Sequence, residues 1–312
     1  MLEKIDKKYE LNTNIIFLFI IIAVPLLLLN YSNILSKNFI PTPVCLFLIL
    51  TIGVSHGALD NIKGNKVLKY YEIQNKIIFY FAYVLLASFV IMIWIVLPTF
   101  SLTMFLIIAA YHFGKEDCWG IPINKSILLP LKFFLKGSLI IWAPLLLNFD
   151  ETISIFNTLG IKNIEFYNFL NILKDNYVLL ILVTLSILSN ILINMHPKHL
   201  ARYTWEIILV LVLYEAFNPL IAFTVYFCFL HSTRHSVSLT YELNINMKEF
   251  IKKALPLTIV TAIFFLFGLY ILTGFEKADI DSSIISIIFI GLASLTFPHI
   301  LLEYLLEKNE KK

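Results

Sequence analysis

Residues 77–97 read IIFYFAYVLLASFVIMIWIVL, a run of 21 residues without a charged side chain. A helix that crosses the hydrocarbon core of a bilayer needs roughly 20 consecutive apolar residues, so this run predicts a transmembrane helix. It is typical of the chain, which has 312 residues, of which 59% are hydrophobic and 14% charged. So few charged residues cannot cover a soluble globule of this size, and the chain is expected to lie in a lipid bilayer.

The sequence divides into about ten such apolar runs, which predict an all-α, polytopic membrane bundle. The predicted spans are Ile15–Leu29, Ile40–Leu59, Ile77–Leu97, Phe100–His112, Ile127–Leu147, Tyr177–Met195, Trp205–Phe217, Leu220–His235, Leu255–Leu272 and Ile284–Leu306. Pro98 and Asn218–Pro219 predict tight turns between spans, because proline lacks an amide donor and disfavours helix in the residue before it.

Little length remains for a soluble domain, so residues 1–312 are expected to form a single membrane domain. Residues 1–14 and 307–312 are the predicted cytoplasmic tails, and residues 148–176 form the longest predicted outer connection. Apolar residues recur among polar ones in that connection, which predicts an interfacial amphipathic helix.

The basic residues predict the orientation. If the N-terminus is cytoplasmic, only Lys37, Lys162, Lys174 and Lys277 lie on the outer side, and the other 20 of the 24 Lys and Arg lie on the inner side. This asymmetry follows the positive-inside rule and predicts a multi-pass cell-membrane protein with both termini inside. The net charge of +3 is small, and the basic residues are distributed as membrane orientation requires, so we do not expect nucleic-acid binding.

Five of the seven histidines occur near the inner ends of four predicted spans that all run from outside to inside: His56, His112, His231, His235 and His299. Ionisable residues are costly in lipid and often mark functional sites. His231 and His235 are four residues apart, which places both imidazoles on one helix face and suits chelation of one ion. The pattern predicts one intramembrane metal site, for which iron, zinc and copper are all compatible.

Acidic residues follow three of these histidines at a spacing of four: Asp60 after His56, Glu116 after His112 and Glu303 after His299. Metal-bound histidines commonly give their second ring N–H to a carboxylate, so these acids are candidate partners, although acids near span ends are also ordinary interface residues. His196 and His199 are expected to be solvated. Arg234 could face an acid, but it is expected to extend to the lipid headgroups.

Aromatic residues precede the histidine pair. Phe223, Tyr226 and Phe227 could line a tunnel for a long apolar substrate, whereas most other aromatic side chains are expected to be lipid-facing bulk.

The motifs GVSHGALD (53–60), YHFGKED (111–117), HSTRH (231–235) and FPH (297–299) occur in this order within the ten-span pattern. The ordered set resembles the Brp/Blh family of bacterial and archaeal β-carotene 15,15'-dioxygenases over residues 40–306 or so. Each motif alone is weak, whereas the ordered set is specific.

The resemblance implies that the protein cleaves the central double bond of β-carotene with non-haem Fe(2+) and O2, giving two molecules of retinal, often for a microbial rhodopsin. It implies iron ligation by His56, His112, His231 and His235, and a supporting role for Asp60. It leaves open whether His299 binds the metal or shapes the pocket.

Two other classes remain as alternatives. An intramembrane metal-dependent hydrolase usually carries a glutamate general base in an HExxH motif, which this sequence lacks. A metal or small-molecule transporter usually shows internal repeats and broken helices at mid-membrane, and neither is evident in the sequence.

Overall fold

The structure is a computed structural model that describes residues 2–121, 126–193, 197–274 and 276–310, without the side chains of residues 2–6, 55–56, 197–203 and 310. Every regular element in this part of the chain is helical. The predicted all-α class is therefore confirmed.

The helices follow one another with short connections, as expected for a bundle whose backbone amides must be satisfied within each segment. They are α1 (Leu2–Tyr31), α2 (Thr42–Leu48), α3 (Asp60–Tyr70), α4 (Ile77–Val96), α5 (Pro98–Glu116), α6 (Leu129–Gly137), α7 (Leu139–Leu147), α8 (Phe149–Thr158), α9 (Ile164–Asp175), α10 (Val178–Ile193), α11 (Pro197–Ala216), α12 (Pro219–Tyr226), α13 (Thr233–Leu243), α14 (Met247–Gly274) and α15 (Ile280–Glu310).

Two of the long segments change their helical winding part of the way along. A π-helical turn (Ile49–Gly53) and a 3-10 turn (Val54–Leu59) join α2 to α3, and a second π-helical turn (Phe227–Ser232) joins α12 to α13. Single π-helical turns inside longer helices occur frequently at functional sites.

Six segments are long and apolar enough to cross a membrane: Lys7–Tyr31, Thr42–Tyr70, Ile77–Val96, Leu129–Leu147, Met247–Gly274 and Ile280–Asn309. A seventh is possible if α9 and α10, which are bent by 74°, form one span. The predicted spans that fall short lie on α5, on α11 and on α12 with α13. These helices carry the buried His112, Glu206 and Arg234, which lower their mean hydropathy.

The predicted turns are confirmed. Leu97 leaves the helical region, with φ −132° and ψ 63°, and Pro98 begins α5. Asn218 caps α12 by accepting a hydrogen bond from the Ile221 amide at 2.9 Å, with Pro219 in the first helical position. Proline is favoured there because its missing N–H has no partner within the helix.

The main apolar core is formed largely by α1, α2, α11, α12 and the second π-helical turn. A second core surrounds Trp94 and Leu102 and includes Phe156 of α8 and Leu170 of α9, so residues 148–176 form two amphipathic helices in place of the single one predicted. In contrast, α4 and α14 expose large apolar side chains such as Ile95 and Phe264. These faces are suited to contact with lipid.

Two glycines bring α5 close to α6. A β-carbon on Gly114 would overlap the Phe133 carbonyl, and one on Gly137 would overlap the Ala110 carbonyl. Only glycine permits this approach, which fixes the end of α5 that carries His112.

Candidate metal centre

Four histidines from three regions of the chain come together inside the bundle. His112 lies near the end of α5, His231 in the second π-helical turn, His235 on α13 and His299 on α15. All four side chains are at most 4% exposed. His56 lies in the 3-10 turn before α3, and its side chain is outside the described residues.

The four rings form a continuous chain of contacts. The ring centres of His112 and His231 are 5.5 Å apart, those of His112 and His299 are 5.2 Å apart, and those of His235 and His299 are 5.4 Å apart. A metal–imidazole bond of about 2.1 Å places a ring centre about 3.2 Å from the ion, so two rings that bind one ion at about 90–120° have centres about 4.5–5.5 Å apart. Each of these three neighbouring pairs has the spacing of two rings on one ion. The groups of ligand atoms within 4.8 Å of one another in the described part of the chain contain His112, His235 and His299 but not His231.

Close packing of the two π-helical turns supports this arrangement. The Ser232 hydroxyl donates a hydrogen bond to the Gly53 carbonyl at 3.2 Å. A β-carbon on Gly53 would lie 2.6 Å from the Phe227 ring, so this position requires glycine. The contact holds the segment of His231 against the backbone segment that carries His56.

Carboxylates from other helices hold three of the imidazole rings at Nδ1. Opposite an ionised carboxylate, which only accepts hydrogen bonds, Nδ1 is the donor and the lone pair lies on Nε2, the arrangement of a metal-binding histidine. The pairs are His231 with Asp117 at 3.1 Å, His235 with Glu116 at 2.8 Å, and His299 with Asp60 at 2.8 and 2.9 Å.

The predicted pairs joined acids and histidines four residues apart. The pair of His56 with Asp60 lies outside the described side chains, and the carboxylate contacts that are described run across helices. Asp60 contacts His299 and Glu116 contacts His235, so the contacts run between helices. A spacing of four residues brings two side chains within about 6 Å on a helix surface, but a side chain of a facing helix can approach more closely. The actual partner depends on packing.

Glu303 lies among the histidines of the cluster. Its carboxylate accepts a hydrogen bond from Lys63 at 2.5 Å. Ligand atoms of His112, His299 and Glu303 all lie within 4.8 Å of one another, and so do those of Glu116, His235 and Glu303. The donor set of imidazoles and carboxylates is one that iron or zinc accepts.

The role expected for Arg234 was wrong. Its side chain is fully buried and does not extend to the surface. Its guanidinium lies 2.9 Å from Asp117 and 2.7 Å from Glu206, and its Nε donates to Asn12 at 2.8 Å. Lys136 is 3.9 Å from Glu206. Two acids and two bases thus balance each other behind His231.

Asp117 was not among the predicted site residues. It accepts hydrogen bonds from His231, Arg234 and the Tyr226 hydroxyl, the last at 2.6 Å. The available signal was its place directly after Glu116, which puts two consecutive acids at the end of a histidine-bearing span.

The aromatic residues predicted as a tunnel lie beside His231. The rings of Phe223 and Phe227 are stacked with centres 5.2 Å apart, and those of Phe227 and His231 are stacked at 5.7 Å. Tyr226 belongs to the polar network through its hydroxyl. The stack therefore presents an apolar surface on one side of the histidine cluster.

The family model described as beta-carotene 15,15'-dioxygenase matches residues 47–307. A protein named beta-carotene 15,15'-dioxygenase, from an uncultured marine bacterium (66A03), is 28% identical over 260 residues, which is 82% of this chain and 90% of that protein. No solved structure matches significantly. The matched region contains every buried histidine of the cluster, and the chain belongs to the beta-carotene 15,15'-dioxygenase family.

Proposed function

We propose that this protein is a membrane-integral, non-haem iron dioxygenase that cleaves the central 15,15' double bond of β-carotene. One β-carotene and one O2 balance two molecules of retinal. The observation that carries the proposal is the cluster of buried imidazoles held at Nδ1 by carboxylates, in a chain of this family. The retinal would serve as the chromophore of a microbial rhodopsin.

His56, His112, His231 and His235 are the proposed ligands. The assignment of His56 depends on the sequence motif alone. That of His112 and His231 is supported by their burial and ring spacing, and that of His235 by its burial and its hydrogen bond to Glu116. Bound Fe(2+) would supply the binding and activation of O2. Asp117 and Glu116 hold Nδ1 of His231 and His235, which would leave Nε2 of each ring available to the ion.

Substrate positioning would determine which double bond reacts. A carotene dissolves in the bilayer, so a site entered between helices avoids drawing a long polyene through water. The stacked Phe223 and Phe227 rings provide an apolar wall next to His231, against which a polyene could lie. Holding the reacting bond at a fixed place is itself a large catalytic effect.

The proposed topology is ten spans in the cell membrane with both termini inside. In support, each of the ten predicted apolar runs overlaps helical segments. The Cys variants Lys277→Cys and Glu72→Cys test it, because the three native cysteines are buried. A membrane-impermeant maleimide should label Lys277→Cys in intact cells and Glu72→Cys only after lysis. The reverse pattern would overturn the orientation.

Expression in a host that makes β-carotene tests the activity. We expect loss of the orange colour with accumulation of retinal under air, and neither under anaerobic conditions. Activity without oxygen would favour the hydrolase, and carotene redistributed without cleavage would favour the transporter. Cells that express His231→Ala or His235→Ala should stay orange. Cells that express Thr152→Ala, which removes a buried hydroxyl on α8, should lose the colour as wild type does.

A further inference from the structure

Two hydrogen-bonded relays of identical composition meet at the histidine cluster. In each, a tyrosine hydroxyl donates to an aspartate that accepts from a histidine Nδ1. The first is Tyr226–Asp117–His231, with distances of 2.6 and 3.1 Å, and the second is Tyr83–Asp60–His299, with distances of 3.0 and 2.8 Å.

The two relays are built from different helices. Tyr226 ends α12 and Asp117 follows α5, whereas Tyr83 lies on α4 and Asp60 begins α3. No helix therefore contributes to both relays. The resemblance lies in the chemistry of the side chains and is not a by-product of one packing contact.

The His299 ring lies between two proposed ligands. Its centre is 5.2 Å from that of His112 and 5.4 Å from that of His235. A ligand atom of His299 also lies within 4.8 Å of ligand atoms of His112 and Glu303. These spacings match the 5.5 Å between His112 and His231. The His299 ring therefore has the same spacing to its neighbours as the proposed ligands His112 and His231 have to each other.

We infer that His299 is a further ligand of the metal, held in position by Asp60 and Tyr83 as His231 is held by Asp117 and Tyr226. The inference rests on the proposed metal centre. A histidine that only fills space needs no buried carboxylate, because a buried charge is costly unless it is paired and hydrogen-bonded. Asp60 is 3% exposed and receives side-chain hydrogen bonds from Tyr83 and His299, so it holds the Nδ1 side of the His299 ring as Asp117 holds that of His231.

The test uses full-length wild-type protein, His299→Gly and Ser294→Ala, which removes a buried hydroxyl from the same helix. Iron content and iron X-ray absorption spectra are measured with and without added imidazole. His299→Gly should bind iron at least about tenfold more weakly. Its spectrum should show one imidazole fewer, and added imidazole should restore both. Ser294→Ala should match wild type.

Asp60→Asn provides the second variant. It keeps His299 but replaces the carboxylate, and should weaken iron binding about tenfold, as outer partners of metal ligands typically do. His299 is not a ligand if His299→Gly elutes as a folded protein with the iron content and spectrum of wild type, and if added imidazole changes neither. If it does not fold, unchanged iron binding in Asp60→Asn overturns the inference. Iron-free, inactive wild type would instead overturn the proposed function.

Discussion

The histidine cluster and the core around α8 and α9 are both buried, yet they satisfy their polar groups in different ways. Near α8, side chains donate to backbone carbonyls: Trp94 Nε1 to Leu159 at 3.1 Å, and the Thr152 hydroxyl to Asn148 at 2.7 Å. At the histidine cluster, charged side chains of different helices bond to each other. The two regions lie at different levels of α15. The Ser286 hydroxyl donates to the Thr158 carbonyl at the end of α8, and His299 lies 13 residues further along α15, about 20 Å away.

The difference separates packing from function. A hydroxyl or indole that donates to a nearby backbone carbonyl satisfies a buried polar group, which is a structural role. At the histidine cluster, four carboxylates surround the imidazole rings: Asp60, Glu116, Asp117 and Glu303. Arg234 pairs with Asp117, and Lys63 pairs with Glu303. Such an arrangement is costly in a membrane protein and is expected at a functional site.

The largest effect should come from the ligands. His231→Ala and His235→Ala should each lower retinal formation by at least about 100-fold and reduce bound iron, because loss of a ligand exceeds the 10- to 100-fold cost of losing an outer partner. Product analysis and metal content on the same preparations check this. Retinal formation that is unchanged in either variant would remove that residue from the ligand set.

A large loss of stability is expected at Arg234. Arg234→Met leaves Asp117 and Glu206 buried without their guanidinium, which should cost about 3–5 kcal/mol in the free energy of unfolding. Thermal unfolding in detergent measures the loss. Lys253→Ala, which removes an exposed ion pair with Glu249 (2.9 Å), is the matched control and should change stability by less than about 1 kcal/mol. Equal melting temperatures for the two variants would contradict the role of Arg234.

A smaller effect, and one on stability alone, is expected near α8. Trp94→Phe leaves the buried Leu159 carbonyl without its donor, which should cost about 1–3 kcal/mol. Iron content and retinal formation per folded molecule should stay at wild-type values. If Trp94→Phe lowers iron content as His231→Ala does, the two regions are not functionally distinct.

The sequence predicted the features that depend on local spacing. The apolar runs predicted helices, and Pro98 and Asn218–Pro219 predicted turns, because these signals act within a few residues. The five histidines were predicted to share one depth, and the four whose side chains are described do cluster. Signals that act over a few residues were sufficient for the helices and turns.

The partners across helices could not be predicted in this way. Asp60 contacts His299, 239 residues away, and Arg234 contacts Asn12, 222 residues away. Spacing along one helix says nothing about which helix lies opposite. For the same reason Arg234 was expected at the headgroups, since the acids that bury it lie on other segments.

The proposed iron-dependent cleavage of β-carotene is tested most directly by measuring iron and product in one preparation of the purified protein. We expect about one iron per chain and conversion of β-carotene to retinal under air, with loss of conversion after iron removal and recovery when Fe(2+) is restored. Retinal formation by iron-free protein, or intact β-carotene in the presence of iron-loaded, folded protein and O2, would contradict it.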